Sequence, residues 1–242
     1  MKAKGAQANL AIMIDIRPFS SLGHADHGWL NARHHFSFAN YYDPARMGWG
    51  RIRVWNDDQI AAQSGFPPHP HNNMEIVTYV RTGAITHQDS MGNKGRTAAG
   101  DVQVMSAGTG VTHAEYNRED EETTLFQIWI ESDERGVQPG WGAMPFPKEA
   151  RDGHFQVLAS GDPTDGALTI HADARVLGAT VKAGGAIELA ADPERHLYMV
   201  PSGRVRVNGV AAGPRDGIAI HGEDRLRIEA EEDAELVLVD AA

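Results

Sequence analysis

Short apolar and β-branched runs, each closed by a glycine or another turn residue, constrain this chain more than any other feature. Runs such as Glu75-Ile76-Val77-Thr78-Tyr79-Val80 are too short for a typical helix, and no segment sustains a 3.6-residue apolar period. The 26 glycines among 242 residues are spread along the whole length rather than gathered in one linker. That rhythm predicts an all-β fold.

Strands are expected near residues 12–16, 50–55, 75–81, 83–89, 101–106 and 123–131. Leu125 to Ile130 is almost continuously apolar, which fits a strand buried on both faces. Between Val137 and Pro147 the composition changes to VQPGWGAMPFP, whose three prolines and two glycines predict an irregular linker. Short strands then resume, and Asn208-Gly209 after the alternating Arg204-Val205-Arg206-Val207 predicts a type I′ hairpin. The expectation is two β-rich domains, residues 1–138 and 148–242. Residues 43–47 and 56–62 could each form a turn or two of helix, with Asn56-Asp57-Asp58 as caps.

Composition removes several kinds of chemistry. Without cysteine there is neither a disulfide nor a thiolate site, so reactivity must come from histidine, carboxylates and hydroxyls. A net charge of -11 opposes a broad contact with nucleic acid or an anionic membrane. The N-terminus has a short apolar patch but no long hydrophobic region or cleavage site, so a cytoplasmic protein is expected. There is no Walker lysine loop, GxSxG elbow or strand-borne GxGxxG.

Two dyads remain. His69 and His71 are one residue apart in GFPPHPHNNMEIVTYV, and His113 and Glu115 are one residue apart in GDVQVMSAGTGVTHAEYN. Residues i and i+2 of a strand share a face, about 6.6 Å apart along it, so each dyad can present two donors to one ion. Gly108 and Gly110 suit a tight turn that returns the second dyad toward the first. Three imidazoles and a carboxylate suit Fe(II), Mn(II), Co(II), Ni(II), Cu(II) or Zn(II), and four protein ligands leave positions open for chemistry. Glu75 is the rival carboxylate, ranked second because Pro70, Asn72 and Asn73 can break the strand register before it. His87 reads as a satisfied histidine or as a neighbour of the site. His24, His27, His34 and His35 read as surface or packing residues. His154, His171, His196 and His221 form no dyad, so no metal site is expected in the second domain.

The segments RHHFSFANYYD, HPHNNMEIVTYV, HQDSMGN, GDVQVMSAGTGVTHAEYN and FQIWIES closely resemble the pirin family of bicupins, in particular its bacterial branch described as quercetin 2,3-dioxygenases. HLYMVPSGRVRVNG extends the resemblance more loosely into the second half. It implies two antiparallel cupin barrels, of jelly-roll type, packed face to face, with one metal in the first. It also implies that His69, His71, His113 and Glu115 hold that metal, with Fe(II) the ion expected. Cupins in general take the carboxylate at the position of Glu75, and pirins take it from the second motif, which here is Glu115. The implied reaction is cleavage of a flavonol by dioxygen, with carbon monoxide and a depside released and Glu115 as the base for the 3-hydroxyl. The implied alternative is a regulatory pirin that binds a protein partner without contacting DNA directly. A monomer is expected, and Phe66, Met105 and residues near Phe38 are expected in the pocket walls.

Overall fold

The computed structural model of the chain describes residues 13–242; Ile12 of the first expected strand and most of the N-terminal apolar patch lie outside them. Among the described residues four β-sheets form two barrels, each closed by one seven-stranded and one four-stranded sheet. Every strand pair is antiparallel except the short pairing of Gln156–Ser160 with Leu168–Thr169.

Strand period decides which residues meet. In the large sheet of the first barrel, Met74–Thr82 lies between Val102–Ser106 and Thr123–Glu131, which pairs in turn with Ile52–Ile60. Each of these strands is buried on both faces, as the apolar run at Leu125 predicts. Val77, Tyr79, Val104, Phe126 and Ile128 point toward the second barrel and join Leu158, Val176, Val200, Val237 and Val239 in one apolar layer between the two large sheets. Alternate residues point into the first barrel, among them Val80 and Leu125 in one cluster and Ile76 and Met105 in another. Burial on both faces is why Leu125 to Ile130 reads as an almost continuous apolar run.

Sheet membership does not follow the 1–138 and 148–242 division at its edges. Met13–Arg17 pairs with Gly217–His221 at the edge of the second barrel's large sheet. Gly140–Met144, inside the expected irregular linker, pairs with Val102–Ser106 at the edge of the first. That linker expectation is corrected: the prolines Pro139 and Pro145 bound a proline-free run, and an edge position needs ladder hydrogen bonds on one side only.

Residues 56–62 are also corrected. Asn56, Asp57 and Asp58 do not cap a helix but sit in the middle of the strand Ile52–Ile60, all three buried. Asn56 Oδ1 lies 2.8 Å from His34 Nδ1, and Asp57 is gripped by Arg81 and by Arg215 of the second barrel. The Asn208-Gly209 turn forms as expected, with φ of 47° and 85° as a type I′ turn requires.

Candidate metal centre

The two dyads meet by direct cross-strand pairing. The strand Gly65–His71 runs antiparallel to Val111–Tyr116, with His113 opposite His69 and Val111 opposite His71. The turn at Gly108 and Gly110, with φ of 45° and 136°, leads from Val102–Ser106 into Val111–Tyr116. His69, His71 and His113 each offer a ring nitrogen within 4.8 Å of the others. His113, His87 and Glu115 form a second group of the same span, so His113 belongs to both.

Hydrogen bonds around the imidazoles determine where their lone pairs point. His69 Nδ1 donates to the Pro67 carbonyl at 2.8 Å, so in the neutral ring the lone pair is on Nε2. His87 Nε2 donates to the Asp89 carboxylate at 3.0 Å, so His87 Nδ1 accepts, and it faces His113 Nδ1 at 3.4 Å. His113 therefore donates through Nδ1 and keeps a lone pair on Nε2. The Nε2 atoms of His69 and His113 face each other at 3.0 Å. Burial, reinforced by the neighbouring histidines, pushes His113 far down from its ordinary range. Burial also pushes His71 down to about 4. Ring nitrogens opposed at this distance need a hydrogen or a cation between them, and a donor set of three imidazoles fits a divalent ion.

Glu115 is 2% exposed and held by three donors. Gln103 Nε2 reaches Oε1 at 2.6 Å, Gln127 Nε2 reaches Oε2 at 2.5 Å, and the Thr78 hydroxyl reaches Oε1 at 3.2 Å. The Thr97 hydroxyl donates to Gln103 Oε1 at 2.9 Å and so fixes that amide's orientation. Burial pushes Glu115 up to about 7, against the downward pull of the three donors. A carboxyl in that range can both take and return a proton near neutral pH.

Glu75 is elsewhere. The chain turns at Asn72 and Asn73, where Asn73 has a φ of 46°, and Glu75 enters a different sheet on the face that carries Val77 and Tyr79. It accepts a 2.6 Å hydrogen bond from Ser106, away from the imidazoles.

Above the histidines lies a cavity of about 430 Å³, within the range of small-molecule sites. Trp29, Leu30, Phe38, Phe66 and Trp129 give it apolar walls, and His69, His71, His113 and Glu115 line it. Phe66 and Phe38 are in the walls as expected. Met105 is not; it packs with Ile76, Ala107 and Val111 below the site. His34 and His27 also line the cavity, contrary to a surface or packing role. His87 is fully buried and stacks on Trp141 at 4.9 Å and 9°, while Gly95 leaves room for that indole, since a Cβ there would lie 2.2 Å from it. Sequence reasoning missed Gln103 and Gln127, although a single glutamine inside an apolar strand signals a buried polar partner.

A larger cleft of about 990 Å³ lies against the second barrel. Its arginines are already paired, Arg195 with Asp173 and Asp240 and Arg175 with Asp165. The second barrel's own interior is filled by aliphatic side chains such as Leu177, Leu197, Ile218, Leu226 and Leu238. Among the described residues no helix is long and apolar enough to cross a membrane.

Comparison with known proteins agrees with this architecture. Residues 15–130 match the Pirin family and residues 157–241 match the quercetinase C-terminal cupin domain. A pirin-like protein of Caulobacter vibrioides is 63% identical, covering 95% of this chain and 100% of that one. Quercetin 2,3-dioxygenase of Escherichia coli is 45% identical over 94% of this chain and 98% of its own. The crystal structure of the bacterial pirin YhhW from Escherichia coli in complex with nickel(II) superposes with a TM-score of 0.89 at 42% identity, covering 95% of this chain and 99% of that one.

Proposed function

The chain belongs to the pirin family, and on that footing we propose that it is a metal-dependent dioxygenase that opens the central ring of flavonols such as quercetin with O2, releasing carbon monoxide and a depside. The observation that carries this reading is the convergence of His69, His71 and His113, with the Nε2 atoms of His69 and His113 opposed at 3.0 Å, at an aromatic-walled cavity that Glu115 also lines. In the proposed site His69, His71, His113 and Glu115 hold one divalent transition ion. Fe(II) is the ion proposed first, and the nickel(II) complex of the Escherichia coli relative supports a divalent ion in general.

A bound divalent ion would supply Lewis acidity toward the flavonol's 3-hydroxyl and a centre for dioxygen. The remaining work falls to the chain. Glu115 takes the proton of the 3-hydroxyl, and Gln103 and Gln127 keep its carboxyl aimed while it does so. Trp129, Phe66 and Phe38 offer flat apolar faces to an aromatic ligand and exclude water from the reacting ring. The relay from Asp89 through His87 holds the His113 ring in one tautomer and orientation.

The test follows the loss of quercetin in air by the metal-loaded protein, before and after chelation, beside a Glu115→Gln variant. Turnover that depends on metal and is lost in a variant that still holds metal is expected. Full turnover by Glu115→Gln with its metal retained would remove the proton-transfer role, and a metal-loaded native protein inert toward every flavonol would overturn the enzyme reading.

A further inference from the structure

Among the described residues Asp58 is the one carboxyl lining the cavity besides Glu115, and no part of the proposed reaction uses it. It is 2% exposed, and neither of its oxygens has a hydrogen bond or ion pair among the described residues; Oδ1 is enclosed by protein, which leaves Oδ2 as the oxygen a cavity ligand can reach. Leaving a buried polar group unmatched costs stability, so a carboxyl kept this way is a site in search of a donor. Its neighbours on the strand are matched: Asn56 by His34, and Asp57 by Arg81 and Arg215.

Its position is defined by strand register. Asp58 lies opposite Leu125 and Asn56 lies opposite Gln127, so Asp58 and Gln127 share the inward face of the large sheet. Gln127 donates to Glu115, which faces that sheet from the opposing one. A flat ligand whose reacting edge is at Glu115 and the histidines would therefore extend across the cavity toward Asp58.

We propose that Asp58 anchors the substrate by accepting a hydrogen bond from a second phenolic hydroxyl, remote from the one that reacts, and so selects polyhydroxylated flavonols over those with a single hydroxyl. The inference rests on the flavonol reading above. Burial, then the nearby carboxyls of Asp57 and Glu115, push the Asp58 carboxyl well above its usual range. The anchoring does not depend on that shift, because Oδ2 accepts a hydrogen bond both in the carboxylate and as the carbonyl oxygen of an acid protonated on Oδ1.

The experiment compares quercetin, which carries several hydroxyls, with 3-hydroxyflavone, which carries only the reacting one. Both are titrated anaerobically into nickel(II)-loaded native protein, Asp58→Asn and Asp58→Val. The native protein is expected to bind quercetin at least tenfold more tightly than 3-hydroxyflavone. Asp58→Val is expected to hold its metal and its thermal midpoint, to bind 3-hydroxyflavone as before, and to lose at least tenfold of the preference, with Asp58→Asn between the two. If the valine variant does not fold, a threefold or greater loss of preference in Asp58→Asn is the supporting result. A preference within twofold of native in the folded variants overturns the proposal, as does a native protein that binds both flavonols equally, and both results leave the flavonol reading standing. A native protein that binds neither flavonol overturns both.

Discussion

His87 and His113 meet Nδ1 to Nδ1 at 3.4 Å, and because the Asp89 carboxylate accepts a hydrogen bond from His87 Nε2, the proton between the two neutral rings belongs to His113. This contact sends the His113 lone pair toward His69. Replacing His87 with phenylalanine keeps a flat ring against Trp141 but removes the acceptor. The expected result is a loss of roughly 10–100-fold in metal affinity, the usual range for partners that orient a metal-binding histidine. Nickel(II) titration of the native and His87→Phe proteins measures it, and a thermal midpoint near native would show that the loss is not one of folding.

Asp57 is fully buried between Arg81 of the first barrel and Arg215 of the second, with Arg215 Nε 2.6 Å from Oδ2. Removing one member of such a group strands the others. Asp57→Ala should therefore cost roughly 3–5 kcal/mol, the cost of breaking a buried ion pair from one side. Urea denaturation is the measurement, and the loss should be larger than for Asp43→Ala, whose ion pair with Arg46 at 3.7 Å is more exposed.

Stability should fall on the acid side of neutrality. His35 is fully buried, its Nδ1 is 2.9 Å from the Tyr198 hydroxyl, and burial, then the charges of Arg17, Arg46 and Arg215, hold it well below its ordinary 6.5. The unfolded chain binds a proton at His35 below pH 6.5 and the folded chain does not. The contribution of neutral His35 is therefore present above that pH and lost as the pH falls through it. His34, also lowered by burial, acts in the same direction. Unfolding free energy measured from pH 7.5 to 5.5 should decline, and His35→Gln should flatten the slope by up to about 1.4 kcal/mol per pH unit, the equivalent of one proton.

The two dyads are legible in the sequence because each lies on one strand at period-two spacing. Glu75 ranks second from sequence because Asn72 and Asn73 can break the strand before it, and the structure places it in a different sheet. The polar supports are less legible. Asn56-Asp57-Asp58 has the local chemistry of a helix cap, and only partners at positions 34, 81 and 215 make a buried strand of it. His87 acquires its role by pairing across strands with Glu115, and Trp141 covers it from an edge strand between two prolines, neither of which a local pattern reveals.

The most direct test of the account measures oxygen consumption and carbon monoxide release together, with metal-loaded protein and quercetin. One carbon monoxide is expected for each oxygen consumed, with both abolished by chelation and in a His113→Ala variant. A fully metal-loaded protein that consumes no oxygen with quercetin or any other flavonol, or that consumes it without forming carbon monoxide, would contradict it.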